Sequence, residues 1–248
     1  MELSIIIPIY KTDGNAAVAI KTALSSIKNA NGGDKYTVIA VGTVDVLENF
    51  NKIYKEINCP QQLRIVSCET EDYAEMINAG VMSCTTPYFS VIEVDDHYAN
   101  YWFESVDAHI NVTDDYSCIM PINEIIEEDG TSFTFANEIV WGASFNDDDK
   151  LGEVLLSSLK LYKEFQVAGA VIKTEDFISV GKLNPKMGIL AWFEFLIKSV
   201  KSGKRIFVAP TVGYYHMLSR PNTLTNAMKE NLKKEELDRI MSEIEKLL

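Results

Sequence analysis

The 248-residue sequence lacks the patterns that mark several common classes of protein. Its four cysteines are scattered and no two have C-x-x-C spacing, so neither a zinc knuckle nor a thioredoxin-like pair is predicted. Scattered cysteines are typical of a reducing compartment, and we expect a cytoplasmic protein. No apolar run approaches the roughly 18 residues that a membrane-spanning helix needs. The motifs H-E-x-x-H and G-x-S-x-G are absent, which argues against a metalloprotease and a serine hydrolase.

Positive charge is also scarce. The chain has 23 lysines and arginines against 36 aspartates and glutamates, and its net charge is -13. Such an acidic surface repels phosphate backbones and anionic lipid, so we expect no nucleic-acid partner and no membrane surface as partner. The hydrophobic fraction of 47% is enough for a substantial core. The composition therefore predicts an acidic globular protein.

Short apolar runs alternate with helical patterns through the first hundred residues. Continuous apolar strands separated by helices predict an α/β fold with a mostly parallel sheet that is covered on both faces. Right-handed crossovers place the carboxyl ends of such strands along one edge, where ligands bind. The predicted strands are 3–9, 36–41, 63–68 and 88–94, and the predicted helices are 15–30, 46–57 and 72–83.

The second half of the chain has a different pattern. Residues 122–141 predict a β-hairpin that turns at Asp129-Gly130, and a helix over 188–203 precedes a strand over 205–210. We expect one domain over 1–226, followed by an amphipathic helix in 227–248 that packs on this domain or docks a protein partner. The apolar stripe of that helix consists of Leu237, Ile240, Met241, Ile244, Leu247 and Leu248.

Acidic residues follow the fourth predicted strand directly. The stretch "YFSVIEVDD" ends in Glu93, Asp95 and Asp96, at the sheet edge where ligands bind. Two interpretations are open. The aspartates cap the helix that follows, which is a common use of Asp, or the carboxylates hold a metal ion.

The order of several short motifs resembles the family 2 glycosyltransferases of the GT-A fold. The chain has "IIIPIY", "ALSSIKNA", "VIAVGTVD", "MINAG" and "CTTPYFSVIEVDD" in the order in which that family carries its strand, helix and metal-strand motifs. Later come "AWFEFLIKSVKSGKRIFVAP" and "YYHMLSRPNTLT". Each motif is weak by itself, whereas their common order over residues 1–226 is a strong indication of the fold.

The resemblance implies transfer of a sugar from a nucleotide-sugar donor to an acceptor that the sequence does not name. It implies Mn²⁺ or Mg²⁺ on the donor diphosphate, where a hard cation stabilises the charge of the leaving group. The metal residues implied are Asp95, Asp96 and His216, although His216 is equally explained as a histidine packed in a turn. The residues implied for the nucleotide-sugar are Pro8, Tyr10, Asp45, Asn78 and Glu93.

The chain departs from the family at three positions. Val41-Gly42 replaces the acidic turn that accepts a hydrogen bond from the base, and Ile77 replaces an arginine. The position of the catalytic base Asp is Trp192, and Glu194 lies about 200° further round the helix, so it is a weak substitute.

A nearby acidic pair does not settle the question of the base. Glu175 and Asp176 could reach the site only through their loop, and helix capping by Asp176 explains them better. The alternative to a transferase is a catalytically inactive GT-A protein, a structural or interaction subunit of a larger assembly.

Overall fold

The structure is a computed structural model. It describes residues 1–12, 14–31, 35–113, 115–127, 129–142, 145, 150–218 and 233–248.

The first half of the chain forms the predicted parallel layer. Strands β1 to β4 lie side by side in the order β3-β2-β1-β4, and every neighbouring pair is parallel. Three helices connect these strands, and the crossovers bring the carboxyl ends of the strands to one edge. The strands are β1 (Leu3–Pro8), β2 (Tyr36–Gly42), β3 (Gln62–Ser67) and β4 (Tyr88–Val91), and the helices are α1 (Asn15–Asn29), α2 (Val44–Ile57) and α3 (Tyr73–Met82).

β1 shows why these apolar runs are continuous. Its side chains alternate between two cores, with Ile5 and Ile7 in one and Ile6 in the other. The first core contains α1 and α2, and the second contains α3 and residues of the C-terminal half of the chain. A strand buried on both faces needs apolar residues at odd and even positions, so the pattern predicted from the sequence is confirmed.

The second half extends the same sheet beyond β4. The strand order continues β4-β8-β6-β9-β5, and β7 pairs with β6. β8 is antiparallel to both of its neighbours, whereas β6 and β9 are parallel to each other, so β6 and β9 run in the same direction as β1 to β4. These strands are β5 (His97–Tyr98), β6 (Tyr116–Ile126), β7 (Ser132–Ala136), β8 (Val171–Lys173) and β9 (Arg205–Met217). The predicted mostly parallel α/β sheet is confirmed.

The β-hairpin also forms as predicted. β6 and β7 are antiparallel, and the Asp129 side chain accepts a hydrogen bond from the Thr131 N–H at 2.9 Å within the turn. Gly130 has a φ of +84°, a conformation that glycine adopts without strain.

The remaining helices lie against the second half of the sheet and differ from the sequence pattern at one point. They are α4 (Trp102–Val112), α5 (Leu156–Leu161), α6 (Thr174–Val180), α7 (Ala191–Lys201) and α8 (Lys234–Leu247). The helix predicted from 188 begins at Ala191 because Gly188 has a φ of +51°, which interrupts the preceding 3₁₀ turn.

The C-terminal helix α8 packs on the body of the chain. Ile240 and Ile244 are fully buried in the core that also contains residues of α7. The Arg239 guanidinium donates to the Lys186 carbonyl at 3.0 Å, which fixes α8 over the turn before α7. Part of the predicted segment 227–248 lies outside the described residues. No helix among the described residues is long and apolar enough to cross a membrane.

Candidate functional site

Three carboxylates converge just beyond the carboxyl end of β4. Glu93, Asp95 and Asp96 bring one oxygen each to within 4.8 Å of one another. A turn after β4 makes this possible, because the Asp96 N–H donates to the Glu93 carbonyl at 3.1 Å and folds the chain back. Asp95 and Asp96 are buried, at 5% and 0% exposure, while Glu93 is partly exposed. We call these three residues the acidic cluster.

Asp96 joins the acidic cluster to β9. Its Oδ1 accepts from the Met217 N–H at 2.9 Å, and its Oδ2 lies 3.0 Å from His216 Nδ1. β9 runs in the same direction as β4, so its carboxyl end reaches the same edge of the sheet and delivers His216 there. The structure thus brings together Glu93, Asp95, Asp96 and His216, four of the residues predicted for the site.

The capping interpretation of the aspartates is wrong. α4 begins at Trp102, its N-cap residue is Tyr101, and no side chain caps it. Asp96 instead bonds to β9, over a separation of 120 residues from His216.

The electrostatics of the acidic cluster favour a cation. Burial, followed by repulsion from Asp96 and Asp95, raises the pKa of Glu93 to about 7. Burial lowers the pKa of His216, but attraction to Asp96 and the hydrogen bond with it outweigh burial and raise this pKa to about 9. Three acidic side chains therefore lie close to one imidazole. A cation at this point would relieve the remaining repulsion.

The donor set also fits Mn²⁺ or Mg²⁺. Both are hard cations that prefer carboxylate oxygens, and imidazole suits Mn²⁺ as well. Because Nδ1 of His216 faces Asp96, the free ring nitrogen is Nε2, and a carboxylate behind a histidine is a common arrangement at metal sites. The residues present therefore fit a divalent ion.

Trp192, at the position of the expected base, reaches the acidic cluster through Tyr73. Its indole Nε1 donates to the Tyr73 hydroxyl at 3.2 Å, and that hydroxyl is hydrogen-bonded to the Glu93 carboxylate. The Trp192 ring packs at 6.1 Å from Phe177 and 5.8 Å from Phe195, centroid to centroid. An apolar ring with one hydrogen bond thus lies where the resemblance predicted a carboxylate.

Tyr73 is a site residue that the motifs did not indicate. It is the first residue of α3, after Asp72, whose side chain caps the helix by accepting from the Glu75 N–H at 2.9 Å. Burial, and then the charge of Glu93, raise the pKa of Tyr73 well above its ordinary value, so its hydroxyl stays protonated. The capping Asp72 was a readable signal for the start of the helix, but nothing local indicates that Tyr73 contacts Glu93.

The acidic residues near Trp192 are held in other contacts. Glu194 is 7% exposed; its Oε1 accepts from the Asn184 amide at 3.2 Å, and its Oε2 lies 3.5 Å from the Lys198 amine. Asp176 forms an ion pair with Lys204, which helps to lower its pKa against the opposing effect of burial. Capping of α6 by Asp176 is wrong, since the N-cap residue is Lys173.

The predicted nucleotide-sugar residues other than Glu93 take separate positions. Pro8 ends β1 next to β4, and Tyr10 follows, partly exposed, with the Lys11 amine 5.1 Å from its ring centroid. Asp45 is exposed in the first turn of α2. The Asn78 amide group bonds to the backbone of Leu183 in both directions, at 2.8 and 3.0 Å. The nucleotide roles of these residues stay predictions.

Gly42 gives a structural reason why the acidic turn that the resemblance predicts after β2 is missing. A Cβ at this position would lie 2.5 Å from the Ile9 carbonyl oxygen, so the backbones of the segments after β1 and β2 approach too closely for any side chain there. Close backbone packing therefore occupies the place of the family's acidic turn.

The overall structure is similar to solved structures of S. aureus TarS. A structure of TarS residues 1–349 in complex with UDP-GlcNAc aligns with a TM-score of 0.73 and 15% identity, over 98% of this chain and 65% of that chain. The same fragment in complex with UDP aligns with a TM-score of 0.63 and 16% identity, over 98% and 70% of the two chains. The sequence matches no protein-family model and no curated protein.

The similarity covers only part of the TarS chains. Against a longer TarS structure the TM-score is 0.60 at 15% identity, and this chain covers 43% of that one. The chain thus spans just under two thirds of the TarS fragment solved with UDP-GlcNAc and less than half of the longer chain. At these identities the comparison establishes the fold, and the chain has the GT-A-like glycosyltransferase fold predicted from its motifs.

Proposed function

We propose that this protein binds a nucleotide-sugar donor with a divalent metal ion and transfers the sugar to an acceptor. The observation that carries the proposal is the acidic cluster with His216, at the carboxyl edge of a GT-A-like sheet. Structures with the same fold have been solved with UDP-GlcNAc and with UDP. Membership of family 2 of the glycosyltransferases and a cytoplasmic location belong to the same proposal.

Each residue of the site has a distinct role in this proposal. Asp95 and Glu93 would supply carboxylate oxygens to Mn²⁺ or Mg²⁺. His216 would supply Nε2 on releasing the proton that it holds in the metal-free protein. Asp96 would orient the imidazole, since one of its oxygens lies 3.0 Å from Nδ1 and the other is fixed by the Met217 N–H. The ion, when bound, supplies Lewis-acid stabilisation for the negative charge on the leaving nucleoside diphosphate. Asp95 is the residue on which donor binding depends most.

Removal of the acceptor proton needs a general base, and this is the role that the residues of the candidate site support least. General base catalysis contributes about 10²- to 10⁴-fold to such reactions. Trp192 cannot accept the proton, and Glu194 is held by Asn184 and Lys198. We therefore expect slow transfer, or an acceptor that is already ionised or easily deprotonated.

The presence of Trp192 at the expected base position favours a second candidate function. Trp192 donates a hydrogen bond to the Tyr73 hydroxyl, and Tyr73 is hydrogen-bonded to Glu93. The residue at the expected base position is therefore part of the packed structure. An inactive GT-A protein that keeps donor binding and uses it for assembly would show this combination. The C-terminal segment 227–248 would then belong to the surface that contacts a partner.

The experiment is a calorimetric titration with UDP and Mn²⁺. We expect Asp95→Asn to weaken binding about 100-fold or more, since second-shell changes alone cost 10- to 100-fold at metal sites. Glu48→Gln, an exposed carboxylate on α2, serves as a control and should bind like wild type. Binding that is equal in all three proteins, or absent from wild type at millimolar UDP, would remove the donor site and with it the transferase proposal.

UDP-GlcNAc hydrolysis and transfer assays with the same proteins separate the two functions. Turnover that Asp95→Asn abolishes supports the transferase. Tight UDP binding without turnover supports the inactive binding protein.

A further inference from the structure

Three partly exposed rings and one glutamate form a row across four strands, two of which also carry residues next to the candidate site. The residues paired in register are Phe135 on β7, Glu124 on β6, Tyr215 on β9 and His97 on β5. Residues paired in this way project from the same face of a sheet. Together with Tyr101, the exposed N-cap residue of α4, we call these residues the ring platform.

Contacts within the ring platform confirm its arrangement. The rings of His97 and Tyr215 stack, with centroids 4.7 Å apart and an interplanar angle of 16°. Partial burial, and then the charges of Tyr101 and Glu124, raise the pKa of Tyr215. Three spacings of about 4.8 Å between adjacent strands give the row a length of roughly 14 Å. The row is long enough to hold a short oligosaccharide.

The rings remain unusually exposed for aromatic residues in a sheet. Phe135 is 43% exposed, Tyr101 is 49% exposed, and Phe133, at the bulge in β7, is 64% exposed. Exposed rings grouped in this way mark binding surfaces more often than scattered ones do. Tyrosine in particular offers a flat apolar face together with a polar hydroxyl.

The chemistry of the row favours carbohydrate over a protein surface. Glu124 lies between Phe135 and Tyr215, so an apolar protein face laid over the rings would bury this carboxylate without a partner, which is costly. A sugar can stack its C–H face on a ring while its hydroxyls donate to a neighbouring carboxylate. Because the net charge of the chain is -13, the protein would repel an anionic glycan.

We propose that the ring platform binds an uncharged oligosaccharide. His97 follows Asp96 and Tyr215 precedes His216 in the chain. Because successive residues of a strand project to opposite faces, the ring platform lies on the face opposite His216, and a bound glycan would be separated from the donor site by the sheet. The binding itself does not depend on the transfer reaction proposed above.

The test measures binding of uncharged glucan and chito-oligosaccharides of six units by calorimetry. Phe135→Ser and Tyr101→Ser each remove an exposed ring, and Ser is a favourable residue at the N-cap position of Tyr101. We expect each variant to bind about tenfold more weakly or worse. Leu161→Ser removes an apolar side chain that is 69% exposed on α5 and should bind like wild type.

The other outcomes overturn the proposal. These are no binding at millimolar oligosaccharide, binding that the two ring variants leave unchanged, and preferential binding of a lysine-rich peptide that Glu124→Gln abolishes. Self-association that Phe135→Ser abolishes, without glycan binding, would assign the surface to a second copy of the chain. Asp95→Asn separates this site from the donor site, since it should leave glycan binding intact while UDP binding is lost.

Discussion

The donor side and the base side of the candidate site differ in what their residues do. On the donor side, Asp96 and His216 come from distant parts of the chain and still meet within hydrogen-bonding distance. On the base side, Trp192 lies where the resemblance predicted a carboxylate, and Glu194 contacts Asn184 and Lys198. The residues that the resemblance implies for a cation thus include a hydrogen-bonded pair, whereas the residue at the implied base position has no group that accepts a proton.

Removal of Asp96 should have the largest effect on stability. This carboxylate is fully buried and holds both the Met217 N–H and His216. We expect Asp96→Ala to lower the free energy of unfolding by about 2–4 kcal/mol, because it leaves the buried Met217 N–H without an acceptor and the partly exposed His216 imidazole without its carboxylate. Urea denaturation measures the change.

The matched control for Asp96 is Asp107. Its carboxylate is 42% exposed and pairs with the terminal ammonium at 2.8 Å, so Asp107→Ala should cost less than about 1 kcal/mol. Equal losses in the two variants would show that Asp96 is no more than a surface carboxylate, and the donor side would lose its structural basis.

The pH dependence of stability should come next in size. In the unfolded chain His216 titrates near its ordinary pKa of about 6.5, whereas in the folded protein its pKa is about 9. The folded state holds the proton more tightly, so this stabilisation is fully present below pH 6.5 and is lost as the pH rises through 9. Glu93, whose pKa is raised to about 7, acts in the same direction at lower pH.

Metal-free protein should therefore lose stability between pH 6 and 9. We expect the loss attributed to His216 to be on the order of 2 kcal/mol, obtained as the difference between wild type and His216→Gln in EDTA. Parallel pH profiles for the two proteins would contradict the pairing with Asp96. Denaturation in urea at each pH gives the comparison directly.

Part of the fold and part of the candidate site could be predicted from the sequence. The alternation of apolar runs and helices predicted a parallel sheet for β1 to β4, and β1, β2 and β4 are buried on both faces as expected, whereas the edge strand β3 is partly exposed. The same reasoning predicted that Glu93, Asp95 and Asp96 would lie at the edge of the sheet, since they follow β4 directly. The local sequence pattern is therefore enough to predict the parallel strands and the position of these acidic residues.

Contacts between distant segments were harder to predict. His216 was indicated only by resemblance, and its partner Asp96 follows from the direction of β9, which no local pattern specifies. Tyr73 was missed because its hydroxyl meets Trp192 over a separation of 119 residues. Capping was wrongly predicted for Asp176, because Asp is common at helix starts and its ion pair with Lys204 is non-local.

The smallest expected effect concerns the hydrogen bond of Trp192. Trp192→Phe keeps a ring among Phe177 and Phe195 but removes the donor to the Tyr73 hydroxyl. We expect a loss of about 1 kcal/mol in the free energy of unfolding, the usual net worth of a neutral hydrogen bond.

A double-mutant cycle with Tyr73→Phe isolates that bond from the change in ring size. The coupling between the two positions should be about 0.5–1 kcal/mol, since the residues are in contact and share one hydrogen bond. The same variants, titrated with UDP and Mn²⁺, ask whether the base side supports the donor side. If Trp192→Phe leaves UDP affinity unchanged while Tyr73→Phe weakens it, the support stops at Glu93 and the two sides are independent. If both weaken it equally, Trp192 belongs to the donor site, and the separation between the two sides is wrong.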